Sequence, residues 1–329
     1  MPFRINSSLI VSAIILFFNQ TLNSQSRILC SPANEFLIEK YKTVNIIAID
    51  EGPHGTLETH QLIRQILTDS ILKRTIQKVI IEFANTERQT TLDKFISGID
   101  IPAESVKTIW RSTTQSHSTK FEEPVYLQLL QTIRDINYDL PSDKKIRVLG
   151  GDPPIRWREV KTLEDYFACL WQRDIYPSHL AIKYGLDSLQ KVLIVFGGEH
   201  LKKNSDQQLD STHWTIPYFI EKVSPGSIVT IGAFNPEILK SPPKNPDVRV
   251  GSICDLTLGE IGSLQVEEWG DSSSYTDLKN CFDAVYFLGP SENWHTGYPE
   301  KIKLEYWIEL NRRSQIVWGD SIDSALIDY

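Results

Sequence analysis

The sequence predicts an α/β fold with a mostly parallel central sheet flanked by helices. Short β-branched apolar runs recur along the chain, and stretches of helical period separate them. Most of those runs are apolar at successive positions, as strands covered by helices on both faces require.

The first strand is expected at Asn45 to Ile49, where a buried run ends abruptly at Asp50, Glu51, Gly52, Pro53, His54 and Gly55. Leu62, Ile63, Ile66 and Leu67 then recur at three- and four-residue spacing, which predicts a helix directly after that knot. Lys78 to Phe83 reads as the second strand. The stretch "EEPVYLQLLQTIRDI" reads as a helix, because Val125, Leu129, Leu130, Ile133 and Ile136 share one face. Ile146 to Leu149, Val192 to Phe196, Ser227 to Ile231 and Ala284 to Leu288 supply four more strands. Ser97 to Lys120, "KNSDQQLDSTH" and "LKSPPKNPD" are rich in Ser, Thr or Pro and read as surface excursions. "NIIAIDEGPHG" and "VLIVFGGEHLKK" echo one another, each running from a strand through Gly to an acid and a His, so two related halves are an option.

Composition bounds the partners. A chain of 329 residues with 41% hydrophobic and 23% charged residues can bury a large core. Its net charge of -8 and the lack of a long basic stretch argue against nucleic acid as a partner. Residues 1–26 read as an export signal, with Arg4 at the positive start, an apolar stretch from Leu9 to Phe18, and cleavage after Ser26. Residues 27–329 then form the mature unit, which is expected to have no transmembrane span and to reside in the periplasm or outside the cell. Lipid attachment at Cys30 is an option, although no small residue precedes it. Cys30, Cys169, Cys254 and Cys281 are far apart, so disulfides and buried free thiols both remain open.

The residues just beyond each strand carry the functional reading. In an open parallel sheet the carboxyl ends share one edge, and ligands bind in the crevice there. That edge should collect Asp50, Glu51 and His54 from the first strand, and Glu82 and Asn85 from the second. It should also collect Asp152 after "RVLGG", Glu199 and His200 after Gly197 and Gly198, and Asn235 after Gly232. Asp50 and Asp152 also suit turn or helix caps, and Glu58 with Thr56 suits the first turn of a helix. Glu82 interrupts the buried run "KVIIEF", so its carboxylate must be paired, hydrogen-bonded or neutral; Arg88 and Arg156 are the partners considered. His60, His117, His179, His213 and His295 fall away from the strand ends and read as surface or satisfied core residues.

"E-G-P-H-G-T-L-E", Glu51 to Glu58, resembles the signature that opens the erythromycin esterase-like proteins, succeeded as there by a helix and a strand with a Glu, here Glu82. "G-G-E-H" at Gly197 to His200 is similar to the second element of the wider superfamily that includes the haem-binding ChaN-like proteins and the TIKI/TraB metalloproteases. "RVLGGDPP" and "FDAVYFLGP" extend the resemblance along the chain, and Asp50 departs from it by replacing the usual Gly. The resemblance implies a hydrolase in which His54 activates water, Glu51 and Glu82 stand beside it, and His200 is the second histidine.

The residues themselves suggest how such a site would work. Glu51, Glu58 and Glu82 supply carboxylates, His54 and His200 supply imidazoles, and Arg156 is the expected cation for an oxyanion. No serine nucleophile elbow, zincin motif or Walker loop is present. His54, His200, Glu82 and Asp152 would also suit a divalent Zn, Mn or Fe ion, so metal-free and metal-assisted attack on an ester or amide both stand. Two rival classes are an exported haem- or iron-binding protein, with Tyr41, Tyr286 or either His as axial ligand, and a member whose catalytic set has decayed. The expected partner is a small-molecule substrate.

Overall fold

The computed structural model describes residues 30–203, 214–234, 250–257, 260–268, 271–297 and 301–328. The expected leader over residues 1–26, His213, Asn235, the segment 239–247 and nearly all of "KNSDQQLDSTH" lie outside the described residues. No helix among them is long and apolar enough to cross a membrane.

The strands that build the architecture are β1 (Cys30–Pro32), β2 (Ile46–Asp50), β3 (Lys78–Asn85), β4 (Arg147–Asp152), β5 (Val192–Phe196), β6 (Ile228–Phe234), β7 (Ser252–Asp255), β8 (Gln265–Glu268), β9 (Asp271–Asp277) and β10 (Ala284–Phe287). Eight of them form one sheet in the order β1-β7-β10-β6-β2-β5-β3-β4. From β10 to β4 every neighbouring pair is parallel, whereas β7 and β1 pair antiparallel at one edge. The α/β architecture and its mostly parallel sheet are therefore as the alternating pattern predicts. β8 and β9 form a separate antiparallel ribbon. The edge strand β1 and its neighbour β7 carry no strand signal in the sequence, being only three and four residues long.

Side-chain alternation assigns each strand's residues to two layers. Ile47, Ile49, Val79, Ile81, Leu193 and Val195 face helices α1 (Leu57–Thr68) and α2 (Pro124–Asp139), through Leu62, Ile63, Leu129 and Ile133. Ile46, Ala48, Ile80, Ile194 and Phe196 face the opposite layer, with Ile216 and Ile220 of the helix Ile216–Val223. Burial of each Val, Leu, Ile or Phe side chain among them contributes about 1.5–3 kcal/mol.

β5 returns between β2 and β3, so the carboxyl ends of these three strands are adjacent. Asp50 is level with Phe196, and Ile81 with Val195, which brings Glu51, Glu82 and Gly197 to one height on the edge. β3 is longer than its apolar run suggested. Its register against β4 shifts between Ile81 and Asn85, a bulge that takes up the chain around Glu82. A side chain at Gly150 would press on the Ala84 and Asn85 backbone, so the bulge needs a glycine opposite it.

One expectation is corrected. Within Ser97 to Lys120, residues 113–117 are buried rather than on the surface. Their polar groups satisfy one another: the Thr113 N–H donates to Ser116 Oγ at 2.8 Å, and Trp157 Nε1 donates to the Thr113 carbonyl at 2.8 Å. Cys30 forms a disulfide with Cys254, in which Cys169 and Cys281 take no part. Lipid attachment at Cys30 would require the sulfur that this disulfide already engages.

Candidate functional site

The loop after β2 builds the first half of the site. Glu51 is fully buried, and its Oε1 lies 2.6 Å from His54 Nδ1. The Glu51 N–H donates to the Phe196 carbonyl at 2.9 Å, which fixes the start of the loop to β5. Asp50 does structural work at the same place. Its carboxylate accepts from Gly52 N–H at 2.7 Å and from Ala233 N–H at 3.0 Å, tying the exits of β2 and β6 together. A side chain at Gly198 would collide with the Asp50 carboxylate, so only glycine lets the β5 exit cross it.

The exits of β3 and β5 build the second half. Glu82 Oε2 accepts from Gly197 N–H at 2.7 Å, and its Oε1 accepts from Gln115 Nε2 and Arg173 Nη2. His200 Nε2 stands 3.7 Å from Glu82 Oε1, and His200 Nδ1 lies 2.8 Å from Asp174 Oδ1. Arg173 and Asp174 immediately precede α3 (Ile175–Ala181). Adjacent residues thus serve Glu82 and His200.

Charge is set by these contacts. Burial alone would raise the Glu51 carboxyl, but the hydrogen bond to His54 and the attraction of His54 and His60 hold it below the usual carboxylate range. Burial pulls His54 down, and the bond to Glu51 with the fields of Glu51 and Glu82 outweighs it, leaving the imidazole above its ordinary value. Glu82 is likewise opposed by burial and held low by Arg173, His200 and His54. Glu123, at the mouth of α2, is pushed up to about 7 by burial.

The structure brings Glu51, His54, Glu82 and His200 together and places the other expected residues elsewhere. Glu58 faces His295, whose Nδ1 lies 2.6 Å from its Oε1 and whose N–H donates to its Oε2 at 3.1 Å. With the Thr56–Thr296 bridge, this latches a late segment onto the motif loop. Thr56 occupies the N-cap of α1, yet its hydroxyl donates to the Pro53 carbonyl instead of capping. Arg156 is 56% exposed and lies 3.4 Å from Glu87, so Arg173, not Arg156, is the cation beside Glu82. Asp152 is consumed by Thr114 N–H at 2.9 Å, Thr114 Oγ1 at 2.6 Å and Asn85 Nδ2 at 2.9 Å. Glu199 turns outward to Lys202, so the echo between the two strand exits ends at the acid.

His60 is the clearest residue that the sequence reading misplaced. It is fully buried, both ring nitrogens lack a hydrogen-bond partner among the described residues, and Nε2 is 3.6 Å from Glu51 Oε2, itself unpartnered. Its spacing of nine residues from Glu51 becomes informative only once α1 is known to pack back over β2. Gln115, Arg173 and Asp174 carried no local signal.

Glu51, His54 and Glu82 each offer a ligand atom within 4.8 Å of the others, so this cluster could hold a metal ion. The donor chemistry fits, with two carboxylates and an imidazole and an unpartnered oxygen on Glu51. His200 and Asp152 are not members of that cluster. The tyrosines considered for haem are engaged: the Tyr286 hydroxyl donates to the Asp50 carbonyl at 2.5 Å, and the Tyr41 hydroxyl to the Val192 carbonyl at 3.0 Å. Tyr41 moreover sits at the start of β5, opposite the edge that carries the histidines.

By sequence, no protein-family model and no curated protein matches the chain. In structure it is similar to a succinoglycan biosynthesis protein, with TM-score 0.54, 12% identity and coverage of 77% of this chain and 90% of that one. It is similar to a Bacillus cereus protein with TM-score 0.52, 13% identity and the same coverage of 77% and 90%. An erythromycin esterase, the EreC protein in a mutant form and open conformation, matches with TM-score 0.49 and 10% identity over 80% of this chain and 94% of that one. The first two likenesses establish a shared α/β fold, and no more.

Proposed function

We propose that the protein is an exported hydrolase, akin to the erythromycin esterase-like proteins, that directs water at an ester or amide. The 2.6 Å contact between buried Glu51 and partly exposed His54 carries the reading. Glu51 orients the imidazole by accepting at Nδ1, which leaves the other ring nitrogen as the acceptor for a proton from water. Arg173 lies beside Glu82 and supplies the positive charge for a developing oxyanion. His200, oriented by Asp174, would return a proton to the leaving group.

A metal held by Glu51, His54 and Glu82 would add Lewis acidity and a more acidic bound water. The protein already supplies a partner for each carboxylate, His54 for Glu51 and Arg173 for Glu82, which favours the metal-free route. Export is supported by the leader-like residues 1–26 and by the Cys30–Cys254 disulfide, a bond typical of oxidising compartments.

The test is a panel of activated esters and amides assayed with and without chelator. Turnover should survive chelation and should fall about 10²–10⁴-fold in His54→Ala, the range for loss of a general base. Full activity in His54→Ala, in protein of native circular dichroism, would refute the reading; loss on chelation would move it to the metal-assisted route.

A further inference from the structure

A cavity of about 330 Å³ opens between the turns after β3 and β4, on the same carboxyl edge as the candidate site. Trp157 and Arg313 are buried in its wall, with the guanidinium carbon of Arg313 5.0 Å from the indole centre. Arg313 is anchored by the Arg111 carbonyl at 2.7 Å and the Ser116 carbonyl at 3.1 Å. Arg88, Arg156 and Arg158 also line it, with two acids, Glu87 and Glu309.

The charge is unbalanced where it matters. Glu309 is taken up by Arg312 and Arg313, each at 2.8 Å. Arg88, Arg156 and Arg158 are then set against one lining carboxylate, Glu87, which Arg156 approaches only to 3.4 Å. Arg158 lies 3.5 Å from Glu159 and is 83% exposed. Among the described residues Arg88 has no carboxylate partner; its Nε donates to Ser112 Oγ at 3.2 Å. On a chain of net charge -8, this leaves guanidinium forks with spare donors around a compact hollow. Such forks match the paired oxygens of phosphate and carboxylate.

One turn joins this hollow to the candidate site. Ser112 lines the hollow, and Gln115, three residues on, donates to Glu82. Three residues span at most about 11 Å, the reach of a small organic molecule.

We propose that the arginine-lined pocket is an anion subsite that accepts a phosphate or carboxylate group, and that the ester attacked at His54 is therefore an anionic one. The second half of this statement rests on the hydrolase reading; the first does not.

Calorimetric titration of the full chain at low ionic strength, with inorganic phosphate and separately with succinate, tests the pocket directly. The wild type should bind at least one of the two, and whichever binds tells phosphate from carboxylate. The Arg88→Ala/Arg156→Ala double variant, altered only at exposed side chains, should bind it at least about tenfold more weakly, as loss of charge-assisted bonds implies. Equal affinity in wild type and double variant, or no binding of either anion by the wild type, would overturn the proposal. A second arm compares an ester bearing a phosphate or carboxylate with its neutral parent. The wild-type preference for the charged ester should drop about tenfold in the double variant. If no ester is turned over at all, the hydrolase reading fails, and the titration still decides the pocket.

Discussion

Two imidazole–carboxylate pairs face Glu82, and they are assembled in opposite ways. In the β2 exit, Glu51 and His54 are three residues apart in one loop, so a single turn of backbone fixes their 2.6 Å contact. In the β5 exit, His200 finds its carboxylate on Asp174, 26 residues earlier at the start of α3. In the first pair Glu51 is wholly buried and only His54 reaches solvent, with 25% of its side chain exposed; in the second, both His200 and Asp174 keep about a fifth of their side-chain surface in solvent. A local pair anchored on a wholly buried carboxylate is a rigid device for one task. A pair gathered from distant elements and partly wet depends on the packing of α3, and is the more adjustable half.

Glu82→Gln should have the largest effect, because it removes the carboxylate common to both halves. It leaves the Arg173 guanidinium without its partner, a loss of about 3–5 kcal/mol for a broken buried pair, read as a lower melting temperature together with lost ester turnover. A variant as stable as wild type would mean that the two halves do not share Glu82. Next in size, Glu51→Gln should lower turnover about 10²-fold or more, while Asp174→Asn lowers it about tenfold, since the first pair makes the nucleophile and the second only assists departure. Equal losses in kcat would show the two pairs acting as one unit.

A third test asks whether the buried carboxylate beneath the second half is neutral. Burial pushes Asp152 up to about 7 against the hydrogen bonds from Thr114 and Asn85 and the field of Arg173. An unfolded chain ionises the same group near about 4. Between those values the folded state holds more protons, so stability is full at low pH and is lost as pH rises toward about 7. Thermal melts of wild type should therefore fall, relative to Asp152→Asn, from pH 5 to pH 8. Parallel curves would show that Asp152 is already ionised. The smallest effect belongs to the exposed latch: Glu58→Gln should cost at most about 1 kcal/mol and leave turnover nearly intact. A large loss of turnover would return Glu58 to the chemistry.

The same contrast explains what was legible. Glu51 and His54 were readable because both the strand run and the loop that carries them are local. Glu82 was readable because a charge inside "KVIIEF" contradicts its neighbours. Arg173 and Asp174 were not, since "WQRDIY" has no period or motif that points at a strand exit 26 residues away. Arg156 is near Asp152 in the chain, yet the structure turns it outward to Glu87. Gln115 was hidden by a polar composition that imitates a surface loop, although its neighbours bury and satisfy one another.

By itself the sequence determined the parallel sheet and the two histidine-bearing exits, because apolar periodicity and the run of strand, glycine and acid are properties of neighbouring residues. Only the tertiary structure decided which charges meet. Insertion of β5 between β2 and β3 sets Glu82 against Gly197 and lets the start of α3 reach both Glu82 and His200. Pairing across such distances depends on strand order and register, and those are fixed by the packing of the whole core rather than by any stretch of chain.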